Sequence, residues 1–267
     1  LPHPEHYRAA VLAAVIWGLI QGLTEFLPVS SSGHLVIIPA FLSEMGVDVP
    51  VPSLAVLTVI HLGTLAAVLI YYRAEVMAVL RFRTNPEGRK LALLVGIGTI
   101  PALIGLPLAD EIEGMQQSIA AVGWQIVATG VILVIGQRVA TGARRLMEGR
   151  IPDAVVVGIA QAIALIPGIS RSGVTIAAGN LRKFDPAEAA RFSFLLGIPA
   201  IAGAGFSQLF ALPEQGGFTP ELAVAMVVAA VSGYLAIAFM MKSINRIGLY
   251  PFAIYCFIIG LATVAFF

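Results

Sequence analysis

"EFLPVSSSGH", residues 25–34, sets a glutamate, a proline turn, three serines, a glycine and a histidine between two strongly apolar stretches. Proline, serine and glycine interrupt the apolar run near its middle. The run around it, residues 8–45, is therefore predicted to be a broken helix rather than one continuous span. Residues 152–181 repeat the pattern around "PGISRSG" at 167–173. At an offset of 140 residues, Gly18, Gln21, Ser30, Ser32 and Gly33 coincide with Gly158, Gln161, Ser170, Ser172 and Gly173. A weaker echo follows, "HLGTLAAV" at 61–68 against "FLLGIPAI" at 194–201.

The chain around these knots is 58% hydrophobic and 12% charged, with a mean hydropathy of +0.93. Soluble domains carry about 25% charged residues, so this is an integral membrane protein. Six further runs reach the length of a spanning helix: 54–73, 90–109, 118–137, 188–212, 219–242 and 249–267. Irregular backbone at membrane depth is tolerated only under a cover of protein or beside a wet cavity, so the two broken runs read as re-entrant. The predicted fold is an all-α polytopic membrane protein of one domain, 1–267, with six transmembrane helices plus two re-entrant broken helices. Each half, about 8–137 and 152–267, has one broken segment and three spans. Three is odd, so the second half lies upside down: an inverted-topology repeat.

Fourteen of the sixteen lysines and arginines, including Arg73 to Lys90, Arg138 to Arg150, Arg182 to Arg191, and Lys242 with Arg246, fall in loops on one side of this threading. The positive-inside rule makes that side cytoplasmic. Asp110, Glu111, Glu113 and Glu214 then lie outside, as do both termini, and the first broken segment enters from outside. The first apolar stretch, Ala9 to Ile20, lacks the positive flank of a signal peptide and is read as part of the mature fold. Cys256 is the single cysteine, which excludes an internal disulfide and a cysteine-based metal site. The basic residues form no patch interleaved with aromatics, so a nucleic-acid partner is not expected.

Arg171 is the basic residue that the loops do not explain. At bilayer depth an arginine costs about 2.5–3.5 kcal/mol on insertion scales, which marks a functional position. Its fork of donors suits phosphate oxygens; the plainer alternative is a buried clamp to Glu25. The half-helices starting at "SSSGH" and "SRSGVT" add N-terminal N–H groups and hydroxyls, which makes Ser30, Ser32, Gly33, Ser170, Ser172 and Gly173 candidate anion contacts. Gln21 and Glu25, four residues apart on one helix face, offer oxygens to a hard divalent cation, Mg²⁺ or Ca²⁺, or else hydrogen-bond a facing half-helix. Ser31 and His34, three apart, are predicted to share a face as nucleophile and acid/base partner. His61 is read as a histidine bonding between helices that could join them, and His3 and His6 as a solvated tail. The chemistry that fits is attack on phosphorus in a lipid head group. No nucleotide-binding motif is present, which speaks against a nucleotide-driven reaction. The rival reading from another class is a transporter or flippase of lipid phosphate or another anion, since broken helices in inverted repeats are common in carriers.

Gln21-x-x-x-Glu25 leading into "EFLPVSSSGH", with "PGISRSG", "RFSFLLGIPA" at 191–200 and "PFAIYCFIIG" at 251–260, resembles the undecaprenyl-diphosphate phosphatases, the bacitracin-resistance family of bacterial inner-membrane enzymes. The likeness covers the whole chain. It implies removal of the terminal phosphate of a C55 polyprenyl diphosphate, a divalent cation, and a site open to the periplasmic side. By position it gives Glu25 and Gln21 the metal or the attacking group, Ser31 and His34 the nucleophile and its partner, and Arg171 the diphosphate, with Thr175 closing the second motif. Gln21 stands where many members have a second glutamate, one negative charge fewer. Whether serine, histidine or water attacks stays open, as does a homodimer.

Overall fold

The helices break where the turn chemistry requires. In the computed structural model, which describes residues 4–47, 49, 51–105, 118–209, 212–213 and 217–267, α1 (Pro4–Phe26) stops just short of Pro28 and α2 (Ser31–Glu44) starts after Ser30. Ser30 caps α2, its Oγ accepting from Gly33 N at 3.2 Å. The second break is built alike: α7 (Ile151–Ile163) stops before Pro167, and Ser170 Oγ accepts from Gly173 N at 3.1 Å to cap α8 (Arg171–Leu181). Between these pairs lie α3 (Leu54–Tyr71), α4 (Arg73–Leu80), α5 (Pro86–Gly105) and α6 (Ile119–Arg138). After them come α9 (Pro186–Leu209), α10 (Pro220–Ile247) and α11 (Tyr250–Phe266). The acidic outer positions Asp110, Glu111, Glu113 and Glu214 lie outside the described residues, as do His3, the side chain of His6, and the ends 106–109 and 210–211 of two expected spans.

Five of the described helices are long and apolar enough to cross a membrane: α1 over Arg8–Phe26, α3, α5, α6 and α10; α7 and α11 are shorter apolar helices. The protein is thus a helical, polytopic membrane protein. One expectation needs correcting in detail, because the two broken segments are unequal. The first helix of the first, α1, has 23 residues, about 34 Å at 1.5 Å per residue, whereas its counterpart α7 has 13, about 20 Å. No breaker interrupts the apolar run between Ala9 and Phe26, so α1 reaches full span length by itself. α7 instead begins in a charged cluster, where buried Asp153 accepts from Arg144 Nη2 at 2.9 Å, Arg182 Nε at 2.7 Å and Arg150 N at 2.9 Å. Helix α4, inside the basic loop, was not anticipated.

Helix association in lipid depends on close packing rather than on expelling water. Small residues supply it here. α1 lies along α10, where a Cβ on Gly18 would come within 2.6 Å of Ala225 O, and α7 lies along α5, where one on Gly158 would come within 2.5 Å of Gly98 O. Each broken segment's first helix therefore packs on a helix of the other half. α3 also packs on α9, and α6 on α11. Phe26 at the end of α1 meets Phe194 of α9 edge to face, centroids 5.5 Å apart, and closes the core beneath the breaks.

Candidate active site

The two breaks are tied to each other by their own backbone. Helix ends leave N–H and C=O groups without partners, and serines from the opposite half supply them. Ser172 Oγ donates to Leu27 O at 3.0 Å, and Gly168 N donates to Ser32 Oγ at 3.2 Å. Thr129 of α6 accepts from Ser170 N at 3.1 Å and so steadies the second break. This crossing brings Arg171, first residue of α8, to Glu25 near the end of α1: Arg171 Nη2 donates to Glu25 Oε1 at 2.9 Å. The other carboxylate oxygen, Oε2, accepts from Ser31 Oγ at 2.7 Å and from Gln21 Nε2 at 3.0 Å. Both charged side chains are largely buried, at 15% and 8% exposure, so each compensates the charge of the other away from water.

Arg171 is seated by α9. Its Nη1 donates to Ser193 O at 3.3 Å, and its guanidinium lies over Gly197, where a Cβ would come within 2.5 Å of Nη1. Thr175, fully buried, donates to Arg171 O at 2.7 Å and lies 2.7 Å from Ser193 Oγ. It braces the arginine from below. Beside Ser31 is a cavity of about 230 Å³ whose polar lining is Gln21, Ser31, Ser32 and His61. His61 Nδ1 is 2.7 Å from Leu57 O, a pure acceptor, so that nitrogen carries the proton.

The family model described as bacitracin resistance protein BacA matches residues 14–262. The chain belongs to the BacA family. Among curated relatives it is 40% identical to an undecaprenyl-diphosphatase of Carboxydothermus hydrogenoformans, over 92% of this chain and 94% of that one. It is also 40% identical to an undecaprenyl-diphosphatase of Thermomicrobium roseum, over 94% and 96%, and 39% identical to undecaprenyl-diphosphatase 4 of Bacillus thuringiensis, over 94% and 95%.

Within this BacA-family chain, the structure joins Gln21, Glu25, Ser31 and Arg171 in one hydrogen-bonded group and places Ser32 on the cavity wall. Ser30, Ser170, Gly33 and Gly173 form the two caps, and Ser172 the cross-tie. His34 stands apart from Ser31. Its Nδ1 is 2.6 Å from Ser30 O and its Nε2 is 2.8 Å from Tyr255 OH, the two rings stacked with centroids 5.6 Å apart. It lines a separate, mostly apolar cavity between α1, α2, α10 and α11. The three-residue spacing from Ser31 suggested a shared face; the ring instead folds back onto the carbonyl of the capping residue. Residues that the sequence reading passed over are Thr129, Ser193, Gly197 and Tyr255. "RFSFLLGIPA" and "PFAIYCFIIG" contain three of these four, but no local pattern assigns them to the site. For a cation, the informative atom is Gln21 Oε1, buried and without a hydrogen-bond partner among the described residues. Among the described residues no three His, Cys, Asp or Glu side chains cluster to hold a metal. The donors present therefore fit a hard cation as a partial shell, with the remaining positions left to phosphate and water.

Proposed function

We propose that this chain hydrolyses undecaprenyl diphosphate to undecaprenyl phosphate and inorganic phosphate in the bacterial inner membrane, returning the lipid carrier to cell-wall synthesis. The observation that carries this reading is the run Ser31–Glu25–Arg171: a hydroxyl 2.7 Å from a carboxylate that is itself 2.9 Å from a guanidinium. A terminal phosphate entering beside Ser31 competes with Glu25 for the fork of Arg171. Released from that ion pair, Glu25 takes the Ser31 proton along the hydrogen bond that already joins them. Ser31 Oγ attacks the terminal phosphorus, the bond to the bridging oxygen breaks, and the lipid monophosphate leaves with the electron pair. Water then cleaves the phosphoserine, releasing phosphate and restoring the hydroxyl. Arg171 and the N–H groups opening α2 and α8 stabilise charge on the transferring oxygens. Mg²⁺ or Ca²⁺, held by Gln21 Oε1 and a Glu25 oxygen, would supply further neutralisation of the diphosphate.

The same reading keeps six spans, α3, α5, α6, α9, α10 and α11, flanked by two broken pairs in an inverted repeat, with the site open to the periplasm and both termini on that side. Three features support it: the like caps at Ser30 and Ser170, the exchanged packing of α1 on α10 and α7 on α5, and the basic loops gathered on one side of the threading. Phosphate release from undecaprenyl diphosphate by the purified protein in detergent, with Mg²⁺ or Ca²⁺ and with a chelator, is the test. Release that the chelator abolishes is expected; a carrier would release none under any condition.

A further inference from the structure

One length of α7 away from the breaks, about 20 Å, three arginines meet over one buried carboxylate. Asp153 answers Arg144 and Arg182 through their side chains but Arg150 only through its backbone N–H. Among the described residues the Arg150 guanidinium makes no hydrogen bond, and Arg182 spends only Nε on a partner. Glu148, the other acid here, turns its Oε2 to Arg145 N at 3.0 Å. These side chains bound a cavity of about 520 Å³ lined by Arg144, Glu148, Arg150, Asp153 and Arg182, three cations against two anions.

Arg150 also walls an adjoining cavity of about 370 Å³. Arg89 and Lys90 form its basic side, and its lining includes no acid; Leu93, Leu94 and Ile151 form its apolar side. Among the described residues the Arg89 side chain reaches only the carbonyls of Phe82 and Arg83, at 3.4 and 3.3 Å. Leu93 and Ile151 are half exposed, at 50% and 52%. Arg150 is thus shared by a basic, polar basin and a crevice with a half-exposed apolar side.

We propose that the two cavities, which share Arg150 as a wall, together bind an anionic phospholipid of the adjacent leaflet. Its phosphate sits between Arg150 and Arg182, its head group against Arg89 and Lys90, and an acyl chain along Leu93 and Ile151. Basic pockets between membrane helices favour such head groups, and the apolar crevice gives the chain a place that a soluble phosphate would not use. The site is separate from the Glu25 and Arg171 centre, and the proposal does not depend on the hydrolytic reading.

The test is lipid retention by native mass spectrometry of delipidated protein given phosphatidylglycerol, phosphatidylcholine or inorganic phosphate. Wild type should hold phosphatidylglycerol at least about tenfold more tightly than phosphatidylcholine, a difference of about 1.4 kcal/mol. Arg150→Ala with Lys90→Ala should remove that preference while phosphate release from the lipid diphosphate stays at the wild-type rate. The charge-keeping pair Arg150→Lys with Lys90→Arg should retain it. Equal retention of the two lipids by wild type, an undiminished preference in the alanine pair, or loss in the charge-keeping pair would overturn the proposal. Displacement of phosphatidylglycerol by millimolar inorganic phosphate would do so too, because the acyl chain would then contribute nothing.

Discussion

The breaks at Ser30 and Ser170 share a cap but turn by different means. The second turns through Gly168 at φ +81°, a conformation glycine adopts freely, and Ser170 keeps an ordinary φ of −72°. The first turns through Ser30 itself at φ +75°, which costs a non-glycine residue about 1–3 kcal/mol. Gly33 N and the His34 ring, both bonded to Ser30, hold it there. The strained break is the one that carries the carboxylate, the hydroxyl and the cavity; the relaxed one contributes the cation. The glutamines differ as well: Gln21 bonds Glu25, whereas neither side-chain polar atom of buried Gln161 has a partner among the described residues. One cap motif thus carries the Glu25–Ser31 pair and its cavity in one half and a platform for Arg171 in the other.

The largest expected effect tests that division of labour. Arg171→Ala should lower phosphate release by about a thousandfold with the fold kept, since an electrostatic donor to the transition state is worth about 10²–10³. Arg171→Lys should recover little, because the ammonium lacks the fork. Wild-type turnover in either variant would reduce the arginine to a structural clamp. Gly197→Ala should act through the same group: its Cβ would displace the guanidinium, and a catalytic group misplaced by about 1 Å costs about a hundredfold.

Smaller effects address the turn itself. Ser30→Ala and Ser170→Ala should each cost about 1 kcal/mol from the lost cap. Glycine should rescue much more at position 30 than at position 170, because only Ser30 sits at positive φ. Equal melting temperatures for the two glycine variants, relative to their alanine counterparts, would remove the distinction between the breaks. The smallest effect lies at the far end of α7. Burial pushes Asp153 up, but the hydrogen bonds from Arg144, Arg150 N and Arg182 outweigh it and hold the carboxyl below its ordinary value. Its contribution is therefore complete above about pH 3.9, its unfolded value, and is lost as pH falls through the lower folded one. Asp153→Asn should flatten that acid limb in a melting series run against pH.

Both breaks and the Gln21–Glu25 pair could be read from the chain because each rests on neighbours within a turn or two, whereas Ser30 and Ser170 were read as anion contacts and serve as the caps. Proline, serine and glycine announce the breaks, and a four-residue spacing places Gln21 over Glu25. Arg171 was singled out by its cost at membrane depth, and its meeting with Glu25 was foreseen only as the plainer alternative. What local spacing could not give is direction. His34 and Ser31 sit three apart, yet α2 begins at Ser31 and the His34 ring turns to Tyr255, 221 residues away. Gly197 as the floor under Arg171 and Thr129 as the support of Ser170 also depend on helices meeting from distant parts of the chain. Full span length in α1 was hidden by the expectation that the two broken segments match.

The most direct measurement is phosphate release from undecaprenyl diphosphate by Ser31→Ala beside His34→Ala, each purified and folded. Attack by Ser31 requires the first variant to fall by at least about a hundredfold, and His34, bonded to Ser30 and Tyr255, should lose much less. A Ser31→Ala enzyme that still turns over while His34→Ala is dead would contradict the Ser31–Glu25–Arg171 site.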